Sequence, residues 1–172
     1  MPNAYFTIAK PANDPFKGYL PGSPERAELK AELKRQSEQV VRIPLIIGGK
    51  EVWTDRTIKV TMPHDHQHVI AECCMAGEAE LEQAIGAALE AKEAWEEMPW
   101  EHRSAIFLKA ADRITGPYRQ VLNASTMLGQ SKTVFQAEID IAELADFLRF
   151  GVWSAQEIFK DQPLSTDGIW NR

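Results

Sequence analysis

The sequence predicts an α+β fold, mostly helical, with a small antiparallel hairpin and sheet near residues 43–75. Two β-prone runs, Ile43 to Ile47 and Lys50 to Trp53, flank the pair Gly48-Gly49. Glycine readily takes the positive φ that a two-residue primed turn demands, so the pair marks a hairpin. β-Branched and small residues continue through Thr57 to Met62 and Val69 to Met75. After Gly77 the apolar period lengthens: Leu81, Ala84, Ile85, Ala88, Leu89 and Trp95 recur at three and four, as on one side of a helix.

In chain order, Met1 to Ser23 are rich in Pro, Gly and Asn and read as an arm. Pro24 to Val40 read as a charged surface helix, with Pro24 in the first turn, where a missing N–H is harmless, and Leu29 and Leu33 on one side. Residues 1–41 are thus the expected arm and charged helix, 42–76 the small sheet, and 77–172 a helical segment. Within the sheet, Pro63-His64-Asp65-His66-Gln67 is the expected turn. The helix after Gly77 ends before Pro99. A second, from about Trp100, carries Ala105, Leu108, Ala111 and Ile114. Gly116-Pro117 ends it and opens a third containing Tyr118, Val121, Leu122 and Ser125, with Gly129 as the expected stop. Thr133 and Gln136 have the spacing of a capping box, and the helix they open runs to about Phe159, before Pro163.

This last helix is apolar on two sides. Ile141, Leu144, Ala145, Leu148, Val152 and Ala155 form one stripe, expected to face the other helices; Ile139, Phe147, Phe150 and Ser154 form another, which needs a further partner. The chain then passes Pro163 and Gly168 to Ile169-Trp170-Asn171-Arg172 and reads as the unfinished end of a longer polypeptide.

Composition removes several function classes. The 172 residues, 44% hydrophobic, can bury a core, and the formal charge of −6 offers phosphate backbones no attraction. No basic stripe interleaved with aromatics occurs, so nucleic acid is not an expected partner. No apolar run is long enough for a membrane span, and Pro2, Pro11, Pro15, Pro21 and Pro24 interrupt the region where a signal peptide would lie. A cytoplasmic location is expected, and it suits the adjacent Cys73 and Cys74, read as small apolar strand residues.

His64, His66 and His68 would share a face of an extended strand, but Pro63 and Asp65 mark a solvated turn that would not hold ligands in place, so no metal is expected. Neither cysteine has the cationic neighbour or helix start that activates a thiolate. No G-x-G-x-x-G, G-x-x-x-x-G-K-[ST] or G-x-S-x-G run is present, and no catalytic residue is assigned. Glu143 stands out, because Ile139, Phe147 and Phe150 lie four before, four after and seven after it. A carboxylate beside such a stripe is either a solubilising surface group or, once covered, a seat for a cationic partner.

"LIIGGKEV" at Leu45 to Val52, "VTMPHDHQHVIAECCMA" and "AELEQAIGAALEAKEAWEEMPWEHRSAIFLKAADRI" together resemble the start of aldehyde dehydrogenases. "GQSKTVFQAEIDIAELADFLRF" followed by "QPLSTDGIWNR" resembles more narrowly the 1-pyrroline-5-carboxylate dehydrogenases, also called L-glutamate γ-semialdehyde dehydrogenases. The resemblance implies the N-terminal part of the aldehyde dehydrogenase fold. It places the NAD-binding fold, catalytic cysteine and general base downstream, so NAD belongs to the complete enzyme and this chain alone is expected to be inactive. Glu143 matches the glutamate of the family's "AEL-DF" helix, which helps to recognise the substrate's amino group, and Phe147 is implied to line the aldehyde tunnel. The implied partners are the remainder of the polypeptide, a small-molecule substrate and, in some members, further copies of the chain. Alternative readings are another aldehyde dehydrogenase or a stand-alone helical interaction module.

Overall fold

The computed structural model describes residues 6–171; the first residues of the arm and Arg172 lie outside that range. The described residues form five helices and two small sheets. Ser23 caps α1 (Pro24–Ser37), its Oγ accepting from the Arg26 amide, and Leu29 is the residue α1 buries. With Tyr19 and Ala124, Leu29 forms a small core that Leu33, Met127 and Val134 complete. The expected helix to Val40 stops at Ser37, because the chain is drawn into a strand, β1 (Val41–Ile43).

Pro44 has no N–H to give a ladder and divides the predicted Ile43–Ile47 run into β1 and β2 (Leu45–Ile47). β2 turns through Gly48 and Gly49, at φ 56° and 75°, into β3 (Lys50–Val52), with Leu45 opposite Val52. β4 (Thr57–Met62) pairs antiparallel with β5 (Asp65–Cys74). The turn between them is shorter than expected, and the strand begins at Asp65. The sheet departs from a purely antiparallel one at β1, which runs parallel to β5 with Val41 opposite Ala71 and Ile43 opposite Cys73. A parallel pair needs a long connection; here the β2–β3 hairpin and β4 form it.

α2 (Glu78–Glu97) starts where the Glu80 carboxylate accepts from the Gly77 amide at 2.7 Å. It buries no residue: Leu81, Ile85 and Leu89 face outward, 57–66% exposed. α3 (Trp100–Thr115) ends at Gly116, where an added Cβ would lie 2.8 Å from the Asp112 carbonyl oxygen, so only glycine fits that turn. α4 (Arg119–Gln130) runs past Gly129 to a left-handed Ser131 at φ 56°. α5 (Val134–Lys160) opens with the predicted box: Thr133 Oγ1 accepts from the Gln136 amide, and Gln136 Oε1 accepts from the Thr133 amide at 2.9 Å.

α5 packs against α3 and α4 through Ala137, Ile141, Ala142, Ala145 and Val152, all buried. Leu144, expected in that stripe, is 44% exposed. The buried face is narrower there because Glu138 and Asp146 occupy it instead.

The described part of the arm, residues 6–23, forms no helix or strand, so its backbone N–H groups must find partners elsewhere. It finds several along α5. Ile8 exchanges hydrogen bonds with the Gln156 side chain, Asp14 N donates to Asp146 Oδ1, and Lys17 N donates to Glu138 Oε1. An extended chain from Ile8 to Lys17 spans about 30 Å, and a helix from Gln156 back to Glu138 rises about 27 Å. The lengths match, so the arm lies along the helix in the opposite direction as a strap.

Candidate functional site

Two places on α5 concentrate chemistry: a buried ionic cluster on its inner side and an open aromatic groove on its outer side. In the cluster, Glu138 is 0% exposed and Arg119 is 3% exposed. Arg119 Nη2 and Nε donate to the Glu138 carboxylate, Nη1 donates to Asp14 Oδ2 at 2.6 Å, and Nη2 also donates to the Pro15 carbonyl. Tyr19 Oη donates to Glu138 Oε2 at 2.7 Å, and Asn123 Nδ2 donates to the same oxygen at 2.9 Å. Arg149 closes the outer end, donating to Asp14 Oδ1 at 3.1 Å.

Burial alone would raise the Glu138 pKa. Hydrogen bonds from Arg119, Tyr19, the Lys17 amide and Asn123 outweigh it and hold the carboxyl below its ordinary 4.5. Burial, reinforced by the Glu138 charge, pushes the Tyr19 phenol well above its ordinary 10.0. These shifts predict the pH dependence of stability. A depressed carboxyl stabilises the fold fully above 4.5 and progressively less as pH falls below it; a raised phenol weakens the fold as pH climbs past 10.0. Denaturant midpoints should therefore be flat through neutrality and fall on both sides. Glu138→Gln should flatten the acid limb, and an unchanged acid limb in that variant would contradict the assignment.

Apart from the buried Asn123 Oδ1, which has no hydrogen-bond partner, the cluster's side chains are paired, and it faces inward without a nucleophile, which suits holding a structure and not transforming a ligand. The groove is different. Trp95, Trp100, Phe107, Phe147 and Phe159 line an open apolar cavity of about 380 Å³ between the α2–α3 corner and α5. Trp95 meets Phe107 edge-on at 6.5 Å, Trp100 meets Phe159 at 5.8 Å, and the Arg103 guanidinium lies 5.9 Å from the Trp95 ring. Phe147 is 75% exposed on the groove wall. Glu143 lies one turn before it, also exposed, so the two sequence-selected residues share the open side of α5, and Phe147 alone lines the cavity.

The histidines separate: His64 Nδ1 meets Ser131 Oγ at 2.6 Å, His68 Nε2 meets the Ser37 carbonyl at 2.7 Å, and His66 is exposed. Among the described residues no group of three His, Cys, Asp or Glu side chains gathers as a metal would require. Cys74 is buried beside Thr54, whose amide donates to Sγ at 3.4 Å, and Cys73 is half-buried in β5. Among the described helices none is long and apolar enough to cross a membrane. Sequence reasoning missed Glu138, Asp146, Arg119 and Tyr19. A usable signal existed, because Glu138 and Asp146 fall within the small-residue run Ala137, Ala142 and Ala145, on a face where charge needs a partner.

Known proteins agree with this fold. Residues 52–170 match the aldehyde dehydrogenase family. The chain is 49% identical to the delta-1-pyrroline-5-carboxylate dehydrogenase of Agaricus bisporus, over 98% of this chain and 32% of that protein. It is 46% identical to the mitochondrial delta-1-pyrroline-5-carboxylate dehydrogenase of Bos taurus, over 90% and 28%. The crystal structure of the Mycobacterium tuberculosis delta-pyrroline-5-carboxylate dehydrogenase bound with NAD superposes with a TM-score of 0.95 at 42% identity, covering 99% of this chain and 32% of that one. The chain thus spans about a third of the length of the curated relatives it matches. The α+β architecture is that of the N-terminal part of their fold. With more than half of its residues matching the family and its whole described fold superposing on a member, the chain belongs to the aldehyde dehydrogenase family.

Proposed function

We propose that this chain forms the N-terminal scaffold and one substrate wall of an NAD-dependent dehydrogenase that oxidises L-glutamate γ-semialdehyde, the open form of 1-pyrroline-5-carboxylate, to L-glutamate in proline degradation. The observation that carries this reading is the 49% identity to the Agaricus bisporus enzyme across nearly the whole chain. Glu143 on the open side of α5 is the proposed seat of the substrate's α-ammonium, as acceptor of a charge-assisted hydrogen bond. Phe147 is the proposed wall along which the aliphatic chain lies, keeping water from the aldehyde.

Residues 6–171 contain no glycine-rich turn between a strand and a helix and no βαβ nucleotide fold, so they do not fit NAD by themselves. The nucleotide, the attacking thiol and the general base are assigned to the remainder of the enzyme. Cys73 and Cys74 are poor candidates, half-buried and buried in a strand. The three regions 1–41, 42–76 and 77–172 are proposed as parts of one unit that the remainder covers, with further copies of the chain as proposed partners. The proposed compartment is the cytoplasm, where both thiols stay reduced; the bovine relative is named mitochondrial, and fractionation of the source cells decides between the two.

The test is NADH formation. In the complete protein that contains this chain, L-glutamate γ-semialdehyde should give sustained NAD reduction and a higher kcat/KM than propanal, whereas purified residues 1–172 should give none above a mock preparation. Turnover that scales with the 172-residue chain, or no preference for the amino-acid aldehyde, would reject the proposal.

A further inference from the structure

The proposed substrate wall is borne by α5, and α5 is held along its inner side by the arm. Asp146 immediately precedes Phe147 and follows Glu143 by one turn. It is 7% exposed, and both its oxygens accept from the arm: Asn13 Nδ2 donates to Oδ2 at 2.9 Å, and Asp14 N donates to Oδ1 at 2.8 Å. The donor side is fixed in turn. The Asp14 carboxylate is gripped by Arg119 of α4 at 2.6 Å and by Arg149 of α5 at 3.1 Å. The arm thereby joins two helices at the level of the proposed site, while Gln156 and Glu138 anchor it further along in each direction.

We infer that Asp146 is a positioning residue: through Asn13 and Asp14 it sets the rotation of α5 about its axis, and so the placement of Glu143 and Phe147 towards an amino-acid aldehyde. The inference rests on the proposed function for its substrate and on the hydrogen bonds alone for its mechanics. Small residues, Ala137, Ala142 and Ala145, form much of the packed face of α5. They resist rotation less than interlocking large side chains would, which leaves the task to directional bonds. A turn of about 10° moves a side-chain tip about 6 Å from the axis by about 1 Å, and a displacement of about that size can cost a hundredfold in a well-fitted site. Glu143 has no hydrogen bond or ion pair of its own among the described residues, so its placement depends on the helix that carries it.

The experiment uses the complete protein that contains this chain and compares Asp146→Ala, Asp146→Asn, which keeps one acceptor oxygen, and Asn13→Ala, which removes one donor and leaves the carboxylate in place. Two readouts are taken. Hydrogen–deuterium exchange of the α5 amides over residues 139–150 should accelerate about tenfold in Asp146→Ala, with the β4–β5 hairpin unchanged. The ratio of kcat/KM for glutamate semialdehyde to that for propanal should fall about tenfold, mainly through KM for the amino-acid aldehyde, with Asp146→Asn and Asn13→Ala intermediate. Unchanged α5 exchange overturns the strap. Faster exchange with an unmoved ratio in all three variants makes Asp146 a stabilising residue only and overturns the positioning role. If Asp146→Ala does not fold, the two milder variants decide by the same criteria. A protein that prefers neither aldehyde before substitution rejects the proposed function instead, and the exchange measurement still decides the strap.

Discussion

Arg119→Ala is expected to destabilise the fold by about 3–5 kcal/mol, the range for removing one partner of a buried ion pair. Arg119 is the cation between two acidic groups, Glu138 at 0% exposure and Asp14 on the arm, and it also donates to the Pro15 carbonyl. Its loss leaves Glu138 with only Tyr19, Asn123 and the Lys17 amide, hydrogen bonds that do not neutralise a buried charge. The arm also loses its tie to α4. For a domain of this size the penalty corresponds to a fall in Tm of about 10 °C.

The variant's pH dependence identifies the cause. Without the guanidinium, burial is opposed only by the Tyr19, Lys17 and Asn123 hydrogen bonds, and the balance at Glu138 shifts towards its protonated form. The difference between variant and parent should shrink as pH is lowered towards 4. A double variant, Arg119→Met with Glu138→Met, should be closer to the parent than the sum of the two single changes, since neither charge is then left buried alone. Denaturant unfolding at pH 7 and pH 4 measures all of this. A loss below about 1 kcal/mol at pH 7 would mean that the pair is no more than a surface contact in energy.

What the sequence made legible was local. Thr133 and Gln136 announce the start of α5 because both halves of the box lie within one turn. Gly48-Gly49 announces a hairpin because positive φ is a property of the residue itself. Pairings across the chain were not legible. Arg119 meets Asp14 across a hundred residues, and Tyr19 meets Glu138 across more, so neither charge differs in sequence from an ordinary solvated one. β1 reads as part of a hairpin run, and only the fold reveals β5 as its parallel partner. The same limit applies to apolar stripes. Periodicity marked two faces on α5 and one on α2, but not that the α2 face, Leu81, Ile85 and Leu89, would be left open. Glu143 was singled out because its contrast is with immediate helical neighbours, Ile139 and Phe147, and its role stays a proposal, while the buried Glu138 on the same helix was passed over because its partners are remote.

Glu143→Ala in the complete protein is expected to lower kcat/KM for glutamate semialdehyde about ten- to a hundredfold while leaving propanal within about twofold. The basis is one charge-assisted hydrogen bond to an ammonium in a partly desolvated pocket, worth about 1.5–3 kcal/mol. Glu143 is exposed in the described chain and makes no bond that its removal would orphan, so stability should change by no more than about 0.5 kcal/mol, the usual range for a surface substitution. That separates it from Arg119 and Glu138, whose loss would act on the fold first. Glu143→Gln keeps a hydrogen-bond acceptor and loses the charge, so it should recover part of the selectivity, and raising ionic strength should narrow the gap between parent and Gln variant if the contact is solvent-accessible. Phe147→Ala should act on both aldehydes, because it removes apolar wall and not a charge. Reactivity of the catalytic thiol towards a small alkylating probe should be unaffected by the Glu143 change, since no group in this chain is assigned to activate it. Equal losses for both aldehydes in Glu143→Ala, with the fold intact, would move Glu143 from substrate recognition to a general role in the site.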